Sequence, residues 1–375
     1  MNFDFSEEQQ ALREQARRLF ADGRSRARRL LDSGDAHDAS LWTQLVEMGL
    51  SAAAIPEPLG GVGLGALELC VVAEEAGRSL APVPFASSVL YATEALKLAG
   101  GAAATRWLPK LADGSAIGTV AFTEGHGTWD ARPTARVENG RLFGFKEPVA
   151  DPAADFAIVS ATSKALNGGY DWWLVDLHAE GVVVQAIDTL DCLRRHARIE
   201  FDGAPVAALG QLGDGARLAS RMLDIAAVLT AFEQLGGAEA QLEACVDYAK
   251  TRRAFGSLIG VNQGVKHRLA DMYAKIQLAR GHCYYAAWAL STTAAQLPLA
   301  AAGARLAATD AFSFAAEEAI ELHGGIGFTW DNDCHLYYRR ARLLALTLGN
   351  RSRWSDRLVR ALCLRRANAS SEAAA

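Results

Sequence analysis

The sequence predicts three successive parts: an N-terminal all-α domain over residues 1–118, a middle antiparallel β-domain over 119–210 and a C-terminal four-helix bundle over 211–366, followed by a disordered tail at 367–375. Three observations predict this. Apolar residues recur at helical spacing up to about Gly118. Short β-prone runs separated by turn residues fill 119–210. Long Ala/Leu-rich stretches with few breakers occupy the remainder.

Ser6 with Gln9 reads as a capping box, and Leu12, Ala16, Leu19 and Phe20 follow at helical spacing. Leu41–Leu50 is a second, short amphipathic piece. The Pro/Gly run at 55–65 is a loop, Glu68–Leu80 and Ser87–Gly100 are helical, and Gly100–Gly101 ends the last of them. In the middle part the runs "GTVAF", "ARVENGRLFGF", "FAIVSA", "DWWLVDL", "GVVVQAI" and "HARIEFDG" are punctuated by turn signals at Asn139–Gly140, Asn167–Gly168–Gly169 and Asp202–Gly203. Such spacing suggests a small barrel or sandwich. The bundle is assigned to Ala216–Thr251, Asn262–Leu290, Leu299–His323 and Tyr337–Ala367, joined by short loops. The tail is small and polar, with too little apolar surface to fold.

Half of the 375 residues are apolar and 22% are charged, as in ordinary globular chains. A net charge of -5 speaks against a nucleic-acid partner. The six cysteines (70, 192, 245, 283, 334, 363) include no C-x-x-C pair, so they read as reduced thiols of a cytoplasmic protein. Asp4, Glu7 and Glu8 occupy positions where a signal peptide needs basic and apolar residues, and no apolar run has the length of about 20 residues that a membrane span requires. Metal-ligand spacing is absent.

Two stretches carry chemistry. In "YAKTRRAFGSLIGVNQ", Tyr248–Gln263, a cation-rich helix end gives way to a Gly-punctuated loop and a new helix. Arginine matches phosphate oxygens bidentately, yet cations also suit any helix C-terminus. In "ELHGGIGFTWDNDCHLYYRRA", Glu321–Ala341, three glycines follow a helix, and glycine either admits a ligand against the backbone or simply stops the helix. His323 and His335 read more readily as structural residues than as ligands. The first stretch resembles the Y-x-x-x-R-x-x-F-G…Q signature of acyl-CoA dehydrogenases through Tyr248, Arg252, Phe255, Gly256 and Gln263. "HGGIGFT" resembles that family's second Gly-rich signature, and the helix/β/helix order is similar to the family's.

The resemblance implies FAD held between the β-domain of one subunit and the bundle of its neighbour, in a homotetramer or a dimer of dimers. Arg252 would hold the pyrophosphate, Phe255 and Gln263 would contact the cofactor, and Gly324–Gly325 would admit its adenine end. Glu321 stands where the family has Gln. Thr123 matches the β-domain threonine that contacts the flavin, and Asp224 an aspartate near the CoA thioester. The reaction implied is α,β-dehydrogenation of an acyl-CoA, with electron-transfer flavoprotein as acceptor.

The sequence departs from this pattern at the proton acceptor. One glutamate slot, nine residues after Arg339, holds Leu348, and the other, on the first bundle helix, holds Ala226. Asp224, on another helix face, and Glu233, two turns further on, are weak substitutes. In the β-domain, Trp129 replaces a small serine, and Pro148 and Ala150 replace flavin-flanking residues. A chain that keeps the half-site it donates but loses its own resembles the base-lacking subunit of bacterial heteromeric acyl-CoA dehydrogenases, which act on bulky or dicarboxylic thioesters, including steroid side chains. A homomeric flavoenzyme with an unusual base and a non-catalytic structural homologue are the alternatives.

Overall fold

The computed structural model describes residues 6–125, 128–163, 169–292 and 294–372, with side chains as far as Arg365. The first part contains α1 (Glu7–Leu19), α2 (Gly23–Ser33), α3 (Ala39–Glu47), α4 (Ala66–Ser79), α5 (Thr93–Ala99) and α6 (Gly101–Ala112). The capping box forms as expected: Ser6 Oγ accepts from Gln9 N–H while Gln9 Oε1 accepts from Ser6 N–H. The expected helix over 87–100 is in fact two: a wholly buried π-helical turn, Phe85–Ala92, precedes α5, and both the N–H and the hydroxyl of Thr93 donate to the Ser88 carbonyl.

The middle part folds into β1 (Gly118–Ala121), β2 (Arg136–Glu138), β3 (Arg141–Ala150), β4 (Phe156–Ser163), β5 (Tyr170–Asp176), β6 (Val182–Ile187) and β7 (His196–Leu209). Strands β4, β5, β7, β3 and β2 pair in a closed ring, so the sheet is a barrel; β1 adds to β4 and β6 to β7. The pairing is mixed rather than purely antiparallel, because β1 and β2 both run parallel to β4. The Asn139–Gly140 turn is as predicted, with positive φ at both residues (51° and 73°). Asp202–Gly203 is not a turn. It lies inside β7, where Phe143 faces Asp202 and Leu142 faces Ala204, so Gly203 (φ 76°) is an extra bulged residue that bends the long strand around the barrel. Asn167 and Gly168 lie outside the described residues. The barrel interior is apolar, with Val137, Leu142, Val149, Val159, Val175, Ile199 and Phe201 buried together.

The last part contains α7 (Gly215–Thr251), the two-residue strands β8 (Arg253–Ala254) and β9 (Ser257–Leu258), α8 (Gln263–Ser291), α9 (Leu297–His323), α10 (Cys334–Thr347) and α11 (Arg351–Glu372). The fourth expected helix is therefore broken at Leu348–Asn350. Gly349 takes φ 98°, and Asn350 Oδ1 then accepts from Arg353 N–H to start α11. Residues 367–372, expected to be disordered, continue α11: no Gly or Pro interrupts the run after Asn350, and Ala, Leu and Arg favour helix. Residues 373–375 lie outside the described set.

By contact density the chain forms two compact units, one of residues 1–24, 70–80 and 227–375, the other of 25–69 and 81–226. In the first, helices approach through small residues. A Cβ on Gly236 would lie 1.8 Å from the Glu74 carbonyl oxygen, and one on Gly77 would lie 2.0 Å from that of Glu233, so α4 and α7 cross backbone to backbone. Ion pairs on the buried Glu74 and Glu75 and on the partly buried Glu239 frame this crossing: Arg13–Glu74 at 2.8 Å, Arg17–Glu75 at 3.0 Å, Arg280–Glu74 at 2.9 Å and Arg78–Glu239 at 2.8 Å.

Candidate cofactor-binding and active-site residues

The two signature stretches meet at one end of the bundle. Tyr248, on the last turn of α7, and His323, on the last turn of α9, stack with ring centroids 4.2 Å apart. The His323 ring is held further by Nδ1 against the Ala319 carbonyl at 2.7 Å, which is the structural role expected of it. Arg252 follows one turn after Tyr248, its N–H donating to the Tyr248 carbonyl at 2.8 Å, and Gly324 follows His323 directly. Ile259 N–H donates to the Arg252 carbonyl and folds β8 and β9 into a hairpin whose tip is Phe255–Gly256, with φ 52° and 83°.

The side chains gathered there face outward. Phe255 is 107% exposed, as free of contacts as an isolated residue. Arg252, Gln263, Glu321, Gly324 and Gly325 are all exposed. Among the described residues the Arg252 guanidinium has no carboxylate or hydrogen-bond partner. Gly324 has φ 63° and ψ −140°, which L side chains rarely adopt, and a Cβ on Gly324 or Gly325 would meet nothing within 4 Å. A free cation, an unpacked aromatic and an open glycine backbone at one helix-bundle end suit a phosphate-bearing, flat-ringed ligand. The donor set therefore fits the adenine and pyrophosphate part of a dinucleotide. The same 3-10 turn, Gly324–Phe328, also exposes Phe328, and Trp330 just beyond it is exposed under the Arg339 guanidinium, 5.4 Å from its ring centroid. The sequence places both aromatics in the stretch that follows the glycines, Phe328 within "HGGIGFT" itself, but assigns neither a role.

The proton-acceptor slots are sealed. Leu348 and Ala226 are both 0% exposed. The Leu348 carbonyl accepts from Trp354 Nε1 at 3.2 Å. The backbone N–H groups of Leu348 and Gly349 both turn to the Leu346 carbonyl, so they are engaged within the chain rather than offered to a substrate oxygen. Glu233 is buried and its carboxylate is already engaged within the chain by Arg340 Nη1 at 3.1 Å. Asp224 is buried and falls, with Ala226, in the unit that contains the barrel, whereas Glu233 and Leu348 belong to the other.

The β-domain residues are arranged differently from those of the bundle. The Thr123 hydroxyl donates to the Pro148 carbonyl at 3.2 Å, and the Thr123 carbonyl accepts from Glu147 N–H at 2.9 Å. Gly125 N–H donates to the Glu147 carbonyl at 2.7 Å. Beneath this loop Lys146, wholly buried, donates to Glu124 Oε1 at 2.7 Å and to Ser160 Oγ at 3.2 Å. Burial pulls the Lys146 ammonium down to about 8. The Glu124 carboxyl lies below its ordinary value: burial opposes ionisation, but Lys146 and the Thr134 and Ala135 donors outweigh it. Trp129 is buried edge-on against Tyr91 and Phe122, and Phe122 stacks on Trp172. The Lys146–Glu124 pair was also passed over in the sequence, where a lysine inside an apolar run was the clue.

Among the described residues no helix is long and apolar enough to cross a membrane, and no group of His, Cys, Asp and Glu could hold a metal ion. All six cysteines are free; Cys363 is exposed, Cys192 partly so, and the other four are buried.

Comparison with known proteins identifies the family and the fold. The family model described as "Acyl-CoA dehydrogenase, N-terminal domain" matches residues 6–115, and that described as "Acyl-CoA dehydrogenase, C-terminal domain" matches 213–362. Acyl-CoA dehydrogenase IpdE2 of Mycobacterium tuberculosis is 37% identical over 338 residues, covering 89% of this chain and 91% of that protein. A chain of a variant of the Tcur3481–Tcur3483 steroid ACAD superposes with a TM-score of 0.87 at 33% identity, covering 96% of this chain and 99% of that one. A chain of the ChsE4–ChsE5 complex from Mycobacterium tuberculosis gives a TM-score of 0.87 at 30% identity, covering 97% and 99%. Members of the matched family are FAD flavoproteins that oxidise CH–CH groups. With both terminal regions matched and the helix–barrel–helix order shared, the chain belongs to the acyl-CoA dehydrogenase family.

Proposed function

We propose that this chain works in the FAD-dependent α,β-dehydrogenation of an acyl-CoA thioester as one subunit of a heteromeric complex, completing a flavin site whose proton acceptor is supplied by a related subunit. The observation that carries the reading is a contrast. The bundle set Arg252, Phe255, Gln263 and Gly324–Gly325 is exposed, and Arg252 has no partner among the described residues, whereas both glutamate slots are filled by buried Leu348 and Ala226. Two solved neighbours named as two-component assemblies, one of them a steroid enzyme by its name, support it. A bulky CoA thioester is therefore the proposed substrate class, and an electron-transfer flavoprotein the proposed acceptor.

When bound, FAD supplies the acceptor for the hydride that leaves the substrate β-carbon. This chain's part is to grip and orient. Arg252 would hold the diphosphate by charge-assisted hydrogen bonds, the Phe255 ring would cover a flat face, and the Gly324–Gly325 backbone would let the ligand approach closely. No residue at the two slots can take a proton, so the α-proton must pass to a carboxylate outside this chain.

The test is co-purification with the native partners and measurement of flavin content. Arg252→Ala should lower FAD affinity about 10- to 150-fold, since one charge-assisted contact is worth about 1.5–3 kcal/mol and 1.4 kcal/mol is tenfold. Unchanged flavin content in Arg252→Ala would remove the role given to Arg252, and full turnover by the pure chain that is abolished by Asp224→Asn would replace this reading with the homomeric one. No flavin in any complex would leave the non-catalytic one.

A further inference from the structure

We infer that this chain's own β-domain excludes flavin, and that Trp129 is the residue that closes it. The inference rests on the function proposed above and names the control on which side of an interface a flavin can be held. It follows from how little the loop after β1 leaves available to a ligand. Among the described residues of that loop, the groups that could face a flat polar ring are already engaged. The Thr123 hydroxyl is on the Pro148 carbonyl, and Gly125 N–H and Glu147 N–H are tied across the β1 loop and β3. Below them the Lys146–Glu124 pair, at 2.7 Å, is linked through the carboxylate to Thr134 and Ala135 N–H. A ligand that needed those donors would have to break an internal hydrogen bond for each one it made, leaving no net gain.

The bulky side chain of the same loop is Trp129. It is 6% exposed, with its ring 5.0 Å from Tyr91 and 5.5 Å from Phe122, edge-on in both cases. Phe122 in turn stacks at 5.0 Å on fully buried Trp172. Four aromatics packed in this way form a continuous plug that runs from the π-helical turn to β5. Displacing an indole from such a cluster forfeits both its burial and its edge-to-face contacts. A serine at this position would leave room of roughly an indole's volume and a hydroxyl donor. The bundle end shows the opposite state, with an exposed cation and open glycines, so the chain is built to donate to a flavin site and not to house one.

The experiment uses the purified full chain with added FAD, desalted and assayed for retained flavin by absorbance, beside its melting temperature. Wild type and Trp129→Phe should retain little flavin. Trp129→Ser should retain several-fold more, and the gain should vanish in Trp129→Ser/Arg252→Ala. One flavin per chain in the wild type, or a folded Trp129→Ser with wild-type flavin content, overturns the inference. Should Trp129→Ser fail to fold, 5-fluorotryptophan labelling decides. In the flavin-loaded native complex the Trp129 resonance should stay where it is in the free chain, and a flavin-induced shift of it overturns the inference. Failure of the plug with Arg252 still required for flavin in the complex leaves the proposed function standing, whereas loss of the Arg252 effect removes both.

Discussion

Lys146 stands in β3 with no exposed surface, and its ammonium is answered by Glu124 and Ser160. Removing one partner of a buried pair leaves the other charge without compensation, which costs about 3–5 kcal/mol. Lys146→Met should therefore lower urea stability by about 3 kcal/mol, and adding Glu124→Gln should return part of the loss; strict additivity of the two changes would show the pair to be uncoupled. A second expectation concerns two histidines of the same unit. His37 is held below its ordinary value by burial against the pull of Asp151, Asp38 and Asp35. His196 is likewise held low by burial, with Asp151 and Asp191 opposing and Arg194 adding to the effect. Because the folded values lie below the unfolded one, both groups contribute stability above about pH 6.5 that is lost as pH falls through the folded values. The melting temperature should drop between pH 7 and 5, and the drop should be smaller in His37→Gln/His196→Gln. At this scale the sequence singles out Arg252, Phe255 and Gln263 from their place in a signature, and all three are exposed. It was least legible where a polar residue faces inward, because nothing in the spacing of Lys146 or Glu233 reveals the partner that burial requires.

The hairpin of β8 and β9 shows how an element can be shaped for something other than its own stability. Its tip places a phenylalanine at φ 52° with its ring in solvent. A non-glycine residue in the left-handed region costs about 1–2 kcal/mol, and the exposed ring contributes nothing within the chain to offset it. Phe255→Gly should thus raise thermal stability while reducing flavin retention in the complex. A loss in stability would mean that the ring packs inside the chain after all. The break between α10 and α11 is the second such element. Trp354 Nε1 caps the Leu348 carbonyl, and the buried Arg305 guanidinium reaches the Leu344 carbonyl, Gln234 and Thr309. Trp354→Phe should cost about 1–3 kcal/mol by orphaning a buried acceptor. Helix existence was legible from apolar periodicity, but this break was not, although Gly349 followed by Asn350 carries the stop and start residues of two helices. The parallel pairing of β1 and β2 with β4 was hidden for a different reason: alternation within a strand reports its buried face and not the direction of its neighbour.

At the scale of the whole chain, texture and cohesion divide the sequence differently. Composition groups α4 with the first hundred residues, but ion pairs and glycine contacts tie its second half to α1, α7 and α8 in the unit of residues 1–24, 70–80 and 227–375. Contacts of such long sequence separation leave no local trace, since each partner alone looks like a charge on a solvated helix face. Two substitutions separate the contributions. Gly236→Ala places a methyl 1.8 Å from the Glu74 carbonyl oxygen, so the helices must part, at a cost of about 1–3 kcal/mol or more. Glu74→Gln leaves the geometry in place and strips the shared carboxylate from Arg13 and Arg280, at a cost of about 3–5 kcal/mol. If close packing carries the unit, the first should lower its denaturation midpoint and the second should be mild. The buried geometry predicts that both are severe and less than additive when combined, because a crossing that has parted no longer presents Glu74 to either guanidinium. Hydrogen exchange on α1 is the sharper readout: its amides should lose protection in Glu74→Gln before those of α9 do, since α1 reaches Glu74 and Glu75 through Arg13 and Arg17.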